Sequence, residues 1–382
     1  MYVGKDSLQT NLNTTLLDWM KHMSKMRVGI IGATGMVGQR FLTLLNNHPF
    51  FEVTALAGSA RSAGLTYREA VKGRWKMTDT IPAYASQMTV LDADADMEKI
   101  VSLVDFVFCA VNLPAAEVRA LEERYAKAEI PVISNNSAHR KTPDVPMVIP
   151  EINPTHLAII EAQKKRLGTT KGFIAVKPNC SIQSYVPMLT PLMPFGIKSV
   201  AVTTYQAISG AGKIFDEMPG IYDNVIPFIG GEEEKSECEP MKIWGSIVGD
   251  EIVPATHPKI TAQCVRVPVS DGHTAAVFVS FERKPTREQI LAAWQNGTGL
   301  TRLPVLPSAP KQMIHYLDDS DRPQPRLDRD TEGGMAVCCG RLREDPVFDW
   351  KFVGLSHNTL RGAAGGAVLI AELLYTEGYL HK

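Results

Sequence analysis

At 382 residues with a formal net charge of −1, the chain is long enough for about two domains and carries no charge excess that would draw nucleic acid or a membrane surface. Its 45% hydrophobic and 21% charged residues are those of an ordinary globular protein, and no apolar run approaches the roughly 18 residues of a membrane span. Six scattered cysteines, at 109, 180, 238, 264, 338 and 339, form no C-x-x-C pair. That excludes a zinc framework or a disulfide scaffold, leaves no metal site to expect, and suits a reducing, cytoplasmic setting.

Residues 1–26 read as a polar N-terminal extension without the apolar core of a signal peptide. "RVGIIGATGMVGQRFLTLL" (27–45) follows: a short β-type run, then Gly32, Gly35 and Gly38 at three-residue spacing, then a helical apolar face. The spacing is G-x-x-G-x-x-G rather than the commoner G-x-G-x-x-G. Glycines in such a turn let the backbone approach a pyrophosphate, and Met36 and Val37 open a helix whose free N–H groups face that anion. Thr34 adds a hydroxyl donor. The next strand, "FEVTALAG", ends without the carboxylate that an NAD site places on the ribose. Ser59, Arg61 and Ser62 stand there instead and suit a 2′-phosphate, so NADP is the expected cofactor. "VDFVFCAV" reads as a buried strand, "PAAEVRALEERYAKA" as a helix opened by proline, and "IPVISNNSAHR" as a strand and a polar loop. Loops at such strand ends line a ligand crevice, which directs Asn112, Asn135 and Ser137 toward the cofactor.

In "AVKPNCSIQ" (175–183) the spacing predicts a strand, a turn and the start of a helix that Pro187 and Pro191 then limit. A cysteine at a helix N-terminus has a lowered pKa and suits a nucleophile; a small buried thiol is the bland alternative. "AVTTYQAISGAGK" (201–213) places Gln206 among apolar neighbours, where a buried amide must find partners. "CVRVPVSDGHTAAVFVSF" (264–281) reads as strand, turn, strand, with Arg266 before the turn and His273 after it. Arginine suits a carboxylate and histidine suits proton transfer near neutrality, although each taken alone is more often structural.

Taken together these segments resemble aspartate-β-semialdehyde dehydrogenases, in the branch shared by archaea and fungi. The matching stretches include "GATGMVGQRF", "SARSAG", "SNNSAHR", "KPNCSIQ", "QAISGAG", "VRVPVSDGH", "DRPQPRLDRD" and "HNTLRGAAGG", collinear from about 27 to 370. The resemblance implies Cys180 as nucleophile, His273 as acid–base group and Gln206 as a positioning amide. It implies Arg266 on the substrate carboxylate, Glu239 on its amino group, and Arg140 with Lys242 on phosphate. Ser209, Gly210 and Asn358 would reach the cofactor. Two departures stand out: Ile182 replaces an expected threonine, and Lys177 stands where the family often has asparagine. The implied reaction is NADP-dependent, phosphate-linked interconversion of β-aspartyl phosphate and the semialdehyde, in a homodimer or homotetramer. A malonyl-CoA reductase on the same scaffold, or a non-catalytic NADP-binding protein, are the alternatives. The expected architecture is α/β: a Rossmann-type domain over 27–155, an α+β substrate and dimerisation domain over 156–356, and a C-terminal helix over 357–382 returning to the first.

Overall fold

The computed structural model describes residues 24–381. The expected extension therefore lies almost wholly outside the described residues. Its last member, Met26, is already buried in the first strand.

The chain opens with β1 (Met26–Ile31), α1 (Met36–Leu44), β2 (Phe51–Gly58), β3 (Val90–Asp92), α2 (Met97–Leu103), β4 (Phe106–Cys109), α3 (Ala115–Lys127), β5 (Val132–Ser134), α4 (Ile160–Leu167) and β6 (Ile174–Val176). The six strands form one parallel sheet in the order β3-β2-β1-β4-β5-β6. Strand order reverses between β1 and β4, so a crevice opens past their carboxyl ends, where ligands of such sheets sit. Gly32 occupies that point with φ +93°, and a Cβ there would meet the carbonyl oxygen of Ala110 at 2.4 Å. Gly38 lets α1 close on the turn, because its Cβ would lie 2.3 Å from Gly32 O. The expected domain boundary at 155 needs correction. α4 is a crossover that returns the chain to this sheet, and β6 extends it to Val176.

The second sheet takes β7 (Ile197–Gln206), then, after a small hairpin of β8 (Ser246–Val248) and β9 (Glu251–Val253) that follows α5 (Glu232–Ile243), the strands β10 (Lys259–Arg266), β11 (His273–Phe281), β12 (Ile314–Leu317), β13 (Val337–Glu344) and β14 (Trp350–Ser356). Its order is β10-β7-β11-β14-β13-β12, mixed in direction. α6 (Arg287–Asn296) follows β11, and α7 (Gly365–Thr376) ends the fold. Strict alternation in β11 buries His273, Ala275, Val277, Val279 and Phe281 on one face. β7 buries Val200, Val202, Thr204 and Gln206 on the same side, and Gln206 is in register with Arg266 of β10. Pleating thus delivers Gln206, Arg266 and His273 to one corner of one sheet face.

α7 packs into the core of the first domain. Val368, Leu369, Ile370, Leu373 and Leu374 join Phe41, Phe51 and Phe106 there, and Glu372 bonds His48 Nε2 at 2.9 Å.

Candidate active site

The nucleophile turn departs from expectation. No α-helix starts at Cys180; Ser181–Ser184 is a single 3-10 turn, then come Val186–Leu189 and Thr190–Phe195, all short. The turn is built by Asn179, whose Oδ1 accepts from Ser181 N at 2.7 Å and Ser181 Oγ at 2.6 Å. Ile182 points into the hydrophobic core, so the hydroxyl missing there takes nothing from the cleft.

Cys180 Sγ lies 3.3 Å from His273 Nε2. Burial and Glu232 push the thiol above its ordinary value, while Lys177, Arg140 and Arg266 oppose them. The lowered thiol expected from a helix N-terminus is therefore corrected: the helix is absent, and desolvation of the charged form dominates. Burial, then Arg266, lower His273 to about 3, so the ring is neutral near pH 7. Its Nδ1 accepts the backbone N–H of Ala207 at 3.0 Å. A backbone N–H can only donate, so the proton of the neutral ring sits on Nε2 and faces the sulfur. His273 can give a proton to Cys180 but has no lone pair with which to take one.

Around the sulfur a cavity of about 300 Å³ is lined by Val37, Asn135, Arg140, Asn179, Ser209, Glu232, Lys235 and Asn358, among others. Arg266 Nη1 donates to Ala207 O at 2.7 Å. Gly210 covers it so closely that a Cβ would lie 2.8 Å from Arg266 Nη1 and 3.1 Å from His273 Nε2. Gln206 Nε2 donates to Thr204 Oγ1 at 3.2 Å and Glu232 at 3.3 Å. Arg140 donates to Glu239 at 2.9 Å and Asn135 O at 3.1 Å, yet its buried Nε and the Nδ2 of Asn135 have no protein partner. Both residues line the cleft, and two unsatisfied buried donors beside it suit an anionic ligand.

The expected Glu239–Lys242 pair is elsewhere. Glu239 is buried between Arg140 and the backbone N–H of Asn179, which donates to it at 2.5 Å. Lys242 Nζ is spent on three carbonyls, of Arg140, Thr142 and Val145, at 2.7–2.9 Å, and burial lowers it to about 8. Both border a different cavity, lined also by Cys238 and Pro254. Glu232 and Lys235 stand in the Cys180 cleft instead, bonded to each other at 2.8 Å. Burial alone would raise the Glu232 carboxyl, but Lys235, Asn179 and Gln206 bring it below its ordinary value. The signal was available: E-x-x-K occurs twice on α5, seven residues apart, and two helical turns leave both copies on nearly the same side.

A second cavity, about 570 Å³, lies past β1 and β4 and is lined by Gly32, Thr34, Gly35, Ser59, Arg61 and Asn112, joined by Asp94 and Arg124. Its glycine floor, hydroxyls and exposed guanidinium fit a phosphorylated dinucleotide. Gly35 lines this cavity and Val37 the Cys180 cleft, so the turn sits between them. Ser62 does not take part: it is buried and its hydroxyl donates to Ser59 O at 3.0 Å. Met36 and Gly38 border neither cavity. Asn135 and Ser137, expected at the cofactor, line the Cys180 cleft. Asn358 is used as a brace, accepting from Gly272 N and donating to Ser209 Oγ, both at 2.8 Å.

Residues 27–160 match the family model described as semialdehyde dehydrogenase, NAD binding domain, and residues 189–361 match semialdehyde dehydrogenase, dimerisation domain. The aspartate-semialdehyde dehydrogenase of Archaeoglobus fulgidus is 45% identical over 92% of this chain and 98% of its own. That of Saccharomyces cerevisiae is 43% identical over 92% and 98%. The chain belongs to the aspartate-semialdehyde dehydrogenase family. Among solved structures of that family, the Candida albicans enzyme with NADP superposes with a TM-score of 0.80 at 40% identity, covering 93% of this chain and all of that one. The Vibrio cholerae enzyme II superposes at 0.71 with 27% identity, covering 93% and 99%. The family models give an NAD-binding domain followed by one named for dimerisation; β2–β5 lie within the first match and the whole second sheet within the second, while β6 falls between them.

Proposed function

We propose that the protein catalyses NADP-dependent reduction of β-aspartyl phosphate to L-aspartate-β-semialdehyde and the phosphate-dependent reverse. The observation that carries this is Cys180 Sγ at 3.3 Å from His273 Nε2, beside a cleft lined by Arg140, Glu232 and Lys235. The Cys180 thiolate attacks the acyl carbon; the carbon–oxygen bond to phosphate breaks and a thioester forms. Arg140 and Lys235, which both line the cleft, hold the phosphate. Arg266 holds the α-carboxylate and Glu232 the ammonium group, which fixes the acyl carbon against the sulfur. Gly32, Thr34, Gly35 and Arg61 would hold NADPH, which when bound would supply the hydride that brings the thioester to the aldehyde level. His273 donates its Nε2 proton toward the departing sulfur.

No helix among the described residues is long and apolar enough to cross a membrane. All six cysteines are free thiols, which favours a cytoplasmic setting. The half-exposed face of the second sheet, including Tyr205, suits assembly into a homodimer or homotetramer.

The test is reduction of NADP by L-aspartate-β-semialdehyde with and without phosphate, wild type beside Cys180→Ser. Phosphate-dependent turnover lost in the variant is the expected result. A variant that keeps its rate removes Cys180 from the mechanism. NADPH oxidation with malonyl-CoA, and none with the aspartyl substrate, would assign the other reductase.

A further inference from the structure

Lys76 lies between β2 and β3 of the first domain, yet its Nζ reaches into the second. It donates to Gly212 O at 2.7 Å and to Glu217 Oε2 at 2.5 Å. Glu217 is itself held in place, because the same Oε2 accepts the backbone N–H of Ile214 at 3.1 Å. On the other side, Lys76 N donates to Gln39 Oε1 at 2.7 Å, and Gln39 Nε2 donates to Thr34 O at 3.1 Å. Gln39 is buried on α1, and Thr34 lines the dinucleotide cavity. A line of hydrogen bonds thus runs from the dinucleotide turn to residues 212–217. Those residues bear on the chemistry through one tight turn. Gly212 closes the 3-10 turn Ile208–Ala211, its N–H donating to Ser209 O at 2.9 Å. Within that turn Ser209 lines the Cys180 cleft and Gly210 lies against Arg266 and His273. Among the described residues, the remaining hydrogen bonds of 212–217 are local turns within 209–218. Residues 212–214 are exposed, and an exposed segment with few distant anchors opens locally at little cost.

We infer that Lys76 is a positioning residue for the reaction: its ammonium group clasps residues 212–217 to the nucleotide domain and so seats Gly210 on the Arg266–His273 corner. This deepens the reading of that corner as the place where the semialdehyde is held, and rests on it. An ammonium group suits the task, since it donates to a carbonyl and a carboxylate at once. The Lys76 side chain is 16% exposed and that of Glu217 43%, so the pair adds little to global stability. Its loss is felt where the segment leads, at the catalytic corner, and not in the melting temperature. The backbone N–H that Lys76 gives to Gln39 survives any change of its side chain, so the dinucleotide turn keeps its support. Substrate handling and cofactor handling therefore separate in a side-chain variant.

The test compares wild type, Lys76→Met and Lys76→Arg by two readouts. The first is limited trypsin digestion of the native protein, with cleavage after the exposed Lys213 followed by peptide mass spectrometry. Lys76→Met should be cut there about tenfold faster, because cleavage tracks the population of the opened segment. The second is steady-state kinetics. In Lys76→Met, kcat/KM for the semialdehyde should fall about tenfold, with KM for NADP and the melting temperature nearly unchanged. Lys76→Arg, which keeps a cation with several donors, should stay close to wild type in both readouts. A folded Lys76→Met with wild-type cleavage or wild-type kinetics overturns the inference, and so does an equal loss in Lys76→Arg. Should Lys76→Met not fold, Glu217→Gln decides on the same readouts: it should show both effects at about threefold, and no effect overturns the inference. If Cys180→Ser retains dehydrogenase activity, the functional reading has failed instead, and the cleavage rate at Lys213 still judges the clasp.

Discussion

Glu232 and Glu239 are both buried on α5, yet they should fail in different ways. Glu232→Gln keeps size but loses the charge that pairs an ammonium group, and turns into a donor one of the two oxygens that accept from Asn179, Gln206 and Lys235. KM for the semialdehyde should rise about tenfold or more, with a smaller fall in melting temperature than Glu239→Gln produces. Glu239→Gln leaves Arg140 as a buried charge without its counterion, which costs about 3–5 kcal/mol. A melting curve should therefore report Glu239→Gln before any kinetic assay does; the opposite pattern would return the substrate role to Glu239. Gly210→Ala should lower kcat/KM by about a hundredfold, since its Cβ would stand 2.8 Å from Arg266 Nη1 and displace both Arg266 and His273. Arg61 is exposed in the dinucleotide cavity. Arg61→Ala should raise KM for NADP about tenfold while leaving KM for NAD nearly unchanged. Equal effects on both cofactors would remove the 2′-phosphate as its partner.

The loop 321–330 gains a role at the level of elements. Arg329 Nη1 donates to Ser270 Oγ at 2.9 Å and Asp271 O at 3.0 Å, while Asn358 holds Gly272 from the other side. The turn that delivers His273 is braced by two distant segments. Arg329→Ala should slow kcat about tenfold while Cys180 still alkylates at the wild-type rate, which separates misplacement of His273 from loss of the nucleophile. What the sequence carried well follows from the same contrast. Glycine spacing at Gly32–Gly38 and alternation in β7 and β11 are local patterns with local causes, so the cofactor turn and the corner holding Gln206, Arg266 and His273 were legible. The boundary at 155 was not, because only pairing with β5 shows that Ile174–Val176 belongs to the first sheet. Nor was the choice between two E-x-x-K pairs, because three carbonyls from residues 140–145 decide that Lys242 is spent. The state of Cys180 depended on Glu232 and on burial, neither of which the motif around it encodes.

Over the whole molecule, buried histidines set the acid limit. Burial holds His273 near 3, His357 near 4, and His139 and His156 below their ordinary value. Unfolded, each titrates near 6.5, so as pH falls below that value the unfolded chain binds protons that the native state refuses. Stability is intact above about pH 6.5 and is lost progressively toward pH 3, by about 2 kcal/mol at pH 5 for each of His273 and His357. Denaturant midpoints from pH 8 to 5 should fall accordingly, and less steeply in His357→Asn. A flat profile would mean that these rings ionise within the fold.

The return of α7 to the first core carries a consequence for synthesis. Leu369, Ile370, Leu373 and Leu374 complete the packing around Phe41 and Phe51, although roughly the whole intervening chain must be translated first. On the ribosome, the nucleotide domain has its sheet long before it has its last layer. Its dinucleotide turn emerges early and waits, with apolar surface uncovered, for the end of the message. A stop codon just before Gly365 would thus cripple the domain that was made first.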